Sequence, residues 1–369
     1  MIIAIDATPL LVRSAGVKGY IWHWIEALRK RAGDATVRAF PFIGKLPPLL
    51  HDQSIFSPAR TYPRLAALHA SNKIPGFIDL VTAGATVFHS SNQIRRKPVR
   101  CRLSATVHDL TSWSHPTEHM AGTLRLDFDF ADRVLKHADA LIAVSDNTRR
   151  DAIEYLRIDP KKIRRIYSGV PDAYFNVTER EIAAARSTFV LNKPYVLYVG
   201  TIEPRKNLDR LLTAWSTLPE DVQAEFELVV AGPYGWRAEA TLAQLRSLSS
   251  GVRYLGYVAE EHLPGLTGGA ILAAYPSLYE GFGFPVAQAM AAHVPVLTSN
   301  TSCLPEVAGE GALFVDPLSI AEIGAALNLL LTSPSLRDRL AVAGRRRAAI
   351  YTWDRCAAES IQFFEELSG

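Results

Sequence analysis

The stretch Tyr195–Leu212, YVLYVGTIEPRKNLDRLL, decides the fold. Its first five residues are apolar or aromatic without interruption, as in a strand buried on both faces of a sheet. Gly200 ends the strand, a short polar turn carries Glu203, Arg205 and Lys206, and an amphipathic helix opens near Asn207. Strand, tight turn and helix in that order are the building unit of a parallel sheet covered by helices. Cations next to a helix start oppose its dipole, so a resident anion explains Arg205 and Lys206 better than a solvated helix start does. Arginine offers a diphosphate a planar fork and lysine a point charge.

The same alternation extends in both directions. Downstream lie FELVVAG, VRYLGYV, AILAAYPS, VPVLTS and GALFVDP; upstream lie IIAIDA, ATVFHSS, SATVHDL, ALIAVSD and IRRIYSGV. Helical stretches separate several of them, including Tyr20 to Arg31 and Asp127 to His137. A polar interval from Asn176 to Asn192 reads as a linker. The expectation is therefore α/β, with a first domain over residues 1–180, a second over 190–350, and a C-terminal helix over 351–369. Ala357, Ile361, Phe364 and Leu367 suit one buried face of that helix, which packs either on the second domain or back on the first.

Ligands of such sheets lie outside the carboxyl ends of the strands. The stretch Tyr279–Met290, YEGFGFPVAQAM, follows one of those ends. Gly281 and Gly283 allow a tight turn and Pro285 presets the first turn of a helix, whose N-terminus suits a phosphate. Glu280 before the turn and Gln288 after it are hydrogen-bonding partners for hydroxyls, so the stretch reads as a site for a polyol beside a phosphate.

Composition narrows the class. The 369 residues are 48% hydrophobic and 21% charged with a net charge of +3, which describes a globular protein and gives no sign of nucleic-acid binding. Cys101, Cys303 and Cys356 are few and widely spaced, which suggests a reducing compartment. No apolar run reaches the ~18 residues that span a bilayer. The expected location is cytoplasmic, with peripheral contact at the inner membrane as the further option. Two segments bear on that option: the basic run IRRKPVRCR with Arg95, Arg96, Lys97, Arg100 and Arg102, and the insertion Leu46–His69, each also readable as plain solvated surface.

The ordered set GTIEPRKNL, GYV, PSLYEGFGFPVAQAM and SNTSCLPEVAG resembles the donor half of the retaining family-4 glycosyltransferases of the GT-B type. GVKGY, FHSSN, TVHDLT, AVSDNTRRD and SGV extend the resemblance over nearly the whole chain, which looks most similar to mannosyltransferases of bacterial O-antigen lipopolysaccharide synthesis. The resemblance implies two Rossmann-like domains with parallel sheets facing a central cleft, the first for the acceptor and the second for the nucleotide-sugar donor. It implies a retaining, metal-independent transfer of a hexose from a nucleotide diphosphate, GDP-mannose or a UDP-sugar, to a hydroxyl of a glycan or lipid-linked acceptor. No separate cofactor and no metal are implied.

Residue by residue, Arg205 and Lys206 match the cations on the donor diphosphate and Glu280 the carboxylate on donor-sugar hydroxyls. His108 falls near the reacting sugar, so His108, Arg205, Lys206 and Glu280 form the implied catalytic set. Gly16 and Gly19 match a glycine loop that approaches the donor. Gly200, Thr201, Tyr257, Gly281, Phe282, Gly283, Phe284 and Gln288 complete the donor contacts, and His89 and Asp109 are candidates for holding the acceptor or orienting His108. Gln288 departs from the pattern, which has a second glutamate there for the ribose. An amide keeps hydrogen-bonding capacity and loses charge, so retuned nucleotide binding is expected. The competing readings are a nucleotide-sugar epimerase and a degenerate, non-catalytic scaffold. A dinucleotide oxidoreductase is disfavoured, because no G-x-G-x-x-G follows the first strand.

Overall fold

A computed structural model describes residues 1–13, 16–33, 36–248 and 251–369. The chain divides into two compact units, Met1–Gly169 together with Thr352–Gly369, and Val170–Tyr351.

In the first unit six parallel strands are ordered β2-β1-β3-β4-β5-β6: β1 (Ile3–Asp6), β2 (Val37–Phe40), β3 (Val87–Ser90), β4 (Arg102–Val107), β5 (Ala140–Ala143) and β6 (Ile163–Arg165). Five are the apolar runs read from the sequence. The sixth, VRAF, lies at the sheet edge with Arg38 exposed, and four residues broken by a charge carry too little periodicity to announce a strand.

The second unit repeats the plan with β7 (Tyr195–Val199), β8 (Glu227–Ala231), β9 (Val252–Gly256), β10 (Leu272–Tyr275), β11 (Val296–Ser299) and β12 (Ala312–Val315). Their order, β12-β11-β10-β7-β8-β9, is all parallel and reverses direction between β7 and β10. That is the topological switch point of a Rossmann sheet, where neighbouring loops leave the strands toward opposite faces and open a crevice. The helix Leu208–Ser216 after β7 covers the sheet by burying Leu208, Leu211, Leu212 and Trp215, three and four residues apart.

Two segments differ from expectation, and a third takes one of the two placements left open. The interval read as a linker holds the helix Glu179–Thr188, closed by a capping box between Thr178 and Glu181, and it lies within the second unit. Its polar residues lie on a surface helix that buries Ala185. Within the insertion Leu46–His69, a helix runs from Pro58 to Lys73 despite Pro63 in its interior. The C-terminal helix, Trp353–Ser368, belongs to the first unit and lies beside the helix Gly16–Ala32. It buries Trp353, Cys356, Ala357, Ser360, Phe363 and Phe364, while Ile361 and Leu367 sit at the margins. Trp24 Nε1 donates to Ser360 Oγ at 3.0 Å, which satisfies the one polar group that an indole brings into a core.

Candidate functional site

Two loops of the second unit converge at its switch point. After β7 the chain passes Gly200 and Thr201, makes a 3-10 turn at Pro204–Lys206, and enters the next helix through Asn207 in a left-handed conformation. After β10 it passes Pro276 and Ser277 to Glu280. The loops are stitched together: Asn207 Nδ2 donates to the Pro276 carbonyl at 2.8 Å, and the Arg205 carbonyl accepts from Leu278 N at 2.9 Å and Ser277 Oγ at 3.0 Å.

Their side chains form a buried charge cluster. Lys206 Nζ lies 2.7 Å from Glu280 Oε1 and 2.7 Å from Tyr275 Oη. Arg205 Nη1 lies 3.2 Å from Glu280 Oε2 and 2.8 Å from the Tyr279 carbonyl, and its Nη2 lies 2.8 Å from Glu203 Oε1. Glu280 Oε1 also accepts from Ser277 Oγ at 2.7 Å and Tyr275 Oη at 3.0 Å. Burial alone would push the Glu280 carboxyl up; Lys206, Arg205 and the donated hydrogen bonds outweigh it and hold it at about 2. The buried Tyr275 phenol is pushed well above its ordinary range, first by burial and then by Glu280, so it stays protonated and donates. Glu280 is therefore ionised and oriented, and its Oε2 retains acceptor capacity for a ligand hydroxyl.

The helix Phe284–Ala291 starts beside this cluster. Gly283 takes φ 82°, and the N–H groups of Val286 and Ala287 return to its carbonyl. With Pro285 lacking a donor, Gly283 and Phe284 carry the N–H groups that precede the helix's own bonds. Phe282 turns into the core against Phe284 and Tyr351, so only its main chain faces the turn. Gln288 falls on the second turn, half-buried in a small recess with Val199, Thr267 and Tyr275. Gly200 spends its N–H on the Ala231 carbonyl at 2.9 Å, and Thr201 lies against Gly235. Tyr257 follows the edge strand β9, separated from β7 by β8, and is 43% exposed. Of the expected donor set, Arg205, Lys206, Glu280 and the 281–284 turn are brought together. Tyr257 stands apart along the same sheet edge.

The remaining expected residues lie in the first unit. His108 follows β4 with its ring edge-on to Tyr20 at 4.8 Å. Burial lowers its imidazole to about 4, against the opposing pull of Asp109. His89 sits inside the sheet, with Ser104 Oγ at 2.8 Å from Nδ1 and Thr106 Oγ1 at 2.9 Å from Nε2. Both ring nitrogens are thus taken by hydroxyls of β4, which leaves His89 no ring nitrogen for an acceptor. Asp109 Oδ1 accepts from Thr111 N at 3.2 Å and Thr111 Oγ1 at 2.7 Å, an Asx cap on the next turn, while its charge acts on the His108 ring. Gly16 and Gly19, expected in a loop, lie in the first turns of the helix Gly16–Ala32. Ser145 caps its helix by accepting from Thr148 N, as its position before that helix predicts.

These imidazoles make a direct prediction. A histidine whose pKa is lowered on folding favours the neutral ring, so His108 and His89 are expected to stay uncharged from pH 8 down to 5.5. Imidazole proton shifts followed by NMR should be flat over that range; a midpoint near the ordinary 6.5 would place the His108 ring in solvent.

Sequence reasoning passed over Asp6, Glu203, Tyr275 and Ser277. Asp6 ends β1 fully buried and accepts from Thr8 and Ser91, joining the loops after β1 and β3. All four stand at or just after a strand's carboxyl end, which is the signal that marks them. Among the described residues no three His, Cys, Asp or Glu side chains gather as metal ligands, and no helix is long and apolar enough to cross a membrane. The basic run is partly neutralised: Arg95 pairs with Asp129 at 3.2 Å, and Lys97 and Arg102 face Asp139 at 3.6 and 3.7 Å.

Comparison with known proteins accounts for both units. Residues 14–174 match the profile of Glycosyltransferase Family 4, and residues 179–347 that of Glycosyl transferases group 1. An Escherichia coli protein, O-antigen chain mannosyltransferase B, is 31% identical over 269 residues, covering 72% of this chain and 71% of its own. Among solved structures, sucrose-phosphate synthase from Thermosynechococcus elongatus superposes with a TM-score of 0.77 at 21% identity, over 99% of this chain and 98% of the other. Anabaena HepE in complex with UDP-glucose does so with a TM-score of 0.73 at 18% identity, over 98% of this chain and 99% of the other. Those two likenesses establish the α/β fold, and the sequence matches establish the lineage: the chain belongs to the family 4 glycosyltransferases.

Proposed function

We propose that this glycosyltransferase moves a hexose, with retention of anomeric configuration, from a nucleotide diphosphate to a hydroxyl of a growing bacterial polysaccharide or its lipid-linked precursor. The observation that carries the reading is the convergence of Lys206 and Glu280 at the carboxyl ends of β7 and β10, beside the start of the helix Phe284–Ala291. A cation and helix N–H groups suit a diphosphate, and an ionised carboxylate suits the hydroxyls of the attached sugar. Similarity to the O-antigen chain mannosyltransferase favours mannose as the sugar, and the proposed donor is GDP-mannose, with a UDP-sugar as the alternative.

The chemistry follows from charge. As the bond from the anomeric carbon to the diphosphate breaks, negative charge grows on the leaving oxygen, and a fixed cation stabilises it without reorganising. The cluster offers no free carboxylate to act as a nucleophile, because Glu280 is already held by Lys206, Arg205, Tyr275 and Ser277. The acceptor therefore attacks on the face the leaving group departs from, and the diphosphate takes its proton. On this reading the first unit binds the acceptor, and a divalent metal is dispensable.

The test is titration with GDP and with UDP, followed by transfer from GDP-mannose with the product's anomeric configuration read by NMR. Micromolar binding of one nucleotide and an axial product that persists in excess EDTA are expected. An inverted product would overturn the mechanism, and full, metal-reversible loss in EDTA would overturn the metal independence.

A further inference from the structure

Arg205 and Lys206 are adjacent in sequence, and family resemblance treats them as one cation pair. Their surroundings separate them. At least three of the five N–H groups of Arg205 are spent, on Glu203 Oε1 at 2.8 Å, on the Tyr279 carbonyl at 2.8 Å and on Glu280 Oε2 at 3.2 Å, and they tie both terminal nitrogens. Its main-chain carbonyl holds the 277–278 turn as well. A guanidinium presents its N–H groups in a rigid plane, so turning them to a phosphate breaks these contacts together. The Glu203 side chain is only 4% exposed, and without Arg205 it would be left as a buried, unpaired carboxylate.

Lys206 is differently placed. Two of its three N–H groups face Glu280 and Tyr275, and an ammonium rotates freely to aim the third at a new acceptor. The two cations and the two carboxylates Glu203 and Glu280 also form a neutral set, so the cluster does not hold a spare pair of positive charges for a diphosphate. The division of labour is written in the partners.

We propose that Arg205 is a positioning residue for Glu280 and not a ligand of the donor diphosphate: Glu203 holds the guanidinium, the guanidinium holds Glu280 Oε2, and the phosphates fall to Lys206 and the nearby helix N–H groups. The proposal rests on the donor-site reading above. It turns Glu203 from an incidental acid into the residue that sets the direction in which Glu280 meets the sugar.

The experiment compares free nucleoside diphosphate with intact sugar nucleotide. GDP and UDP are titrated into wild type, Glu203→Gln, Arg205→Lys and Lys206→Ala, and kcat/KM is measured with the sugar nucleotide, alone and in combination with Glu280→Gln. Glu203→Gln and Arg205→Lys are expected to bind free nucleotide within about twofold of wild type and to lose about ten- to a hundredfold in kcat/KM. Their losses should not add to that of Glu280→Gln, because both act through it. Lys206→Ala should lose at least about tenfold in free-nucleotide affinity.

A drop in free-nucleotide affinity in Arg205→Lys equal to that in Lys206→Ala overturns the proposal. So does tighter nucleotide binding in Glu203→Gln, since a released guanidinium would then be serving the phosphate. Glu203→Gln preserves shape, so it decides the question even if Arg205→Lys folds poorly. Unchanged affinity in Lys206→Ala, or no binding by wild type, overturns the donor-site reading itself, a result distinct from the others.

Discussion

Lys206→Ala is expected to lower kcat/KM for the sugar nucleotide by about a hundred- to a thousandfold, the usual effect of removing one preorganised group from a developing charge. The lysine is 13% exposed at its side chain and touches both Glu280 and Tyr275, so its loss is felt twice. The phosphate loses its mobile cation, and Glu280 loses the strongest of the attractions that hold its carboxyl at about 2. Because that carboxyl is depressed on folding, its stabilising contribution is present above the ordinary value of 4.5 and lost as pH falls toward 2. In the variant the loss should begin at higher pH. Steady-state kinetics and acid unfolding of the two proteins measure both effects, and a variant with wild-type kcat/KM would remove Lys206 from the site.

Gly232→Ala should be the most damaging single methyl in the second unit. Gly232 has φ 147°, a conformation that side chains rarely adopt, and a Cβ there would fall inside contact distance of the Gly200 carbonyl, 2.6 Å from its carbon. Backbone meets backbone, so no side chain is free to yield. The residues it would displace are those that begin the Glu203–Lys206 turn. A loss of at least about 3 kcal/mol is expected, which for a unit of this size is about 6–12 °C in melting temperature. Gly283→Ala is the contrast: there a Cβ meets the end of the Leu304 side chain at 2.8 Å, which has room to rotate, although φ 82° still carries strain. Melting curves that rank Gly283→Ala below Gly232→Ala would refute the backbone argument.

The candidate site was half legible in the sequence. Arg205, Lys206 and Glu280 stood out because each follows a strand end and carries a charge that a helix start or a glycine turn does not otherwise explain. Glu203 lay in the same quoted stretch and passed as a polar turn residue, since nothing local distinguishes a solvated glutamate from one at 6% exposure. Tyr275 read as the last apolar residue of its strand, because periodicity sees the ring and not the hydroxyl that joins Lys206 to Glu280. Gly16 and Gly19 were assigned to a loop by family resemblance, and both lie in the first turns of the helix Gly16–Ala32.

By itself the sequence determined the alternation of eleven apolar runs with amphipathic helices, and with it two parallel-sheet units. Parallel strands are covered on both faces, so burial leaves a local mark that any short window reveals. Tertiary structure alone decided the strand order with its reversal between β7 and β10, the return of the helix Trp353–Ser368 to the first unit, and the bonding of Arg205 to Glu203 and Glu280. Each of these depends on which remote segments meet, and residues 75 positions apart leave no periodic trace of their pairing. The charges were visible from the outset; which of them face a ligand and which face one another is a property of the folded loops.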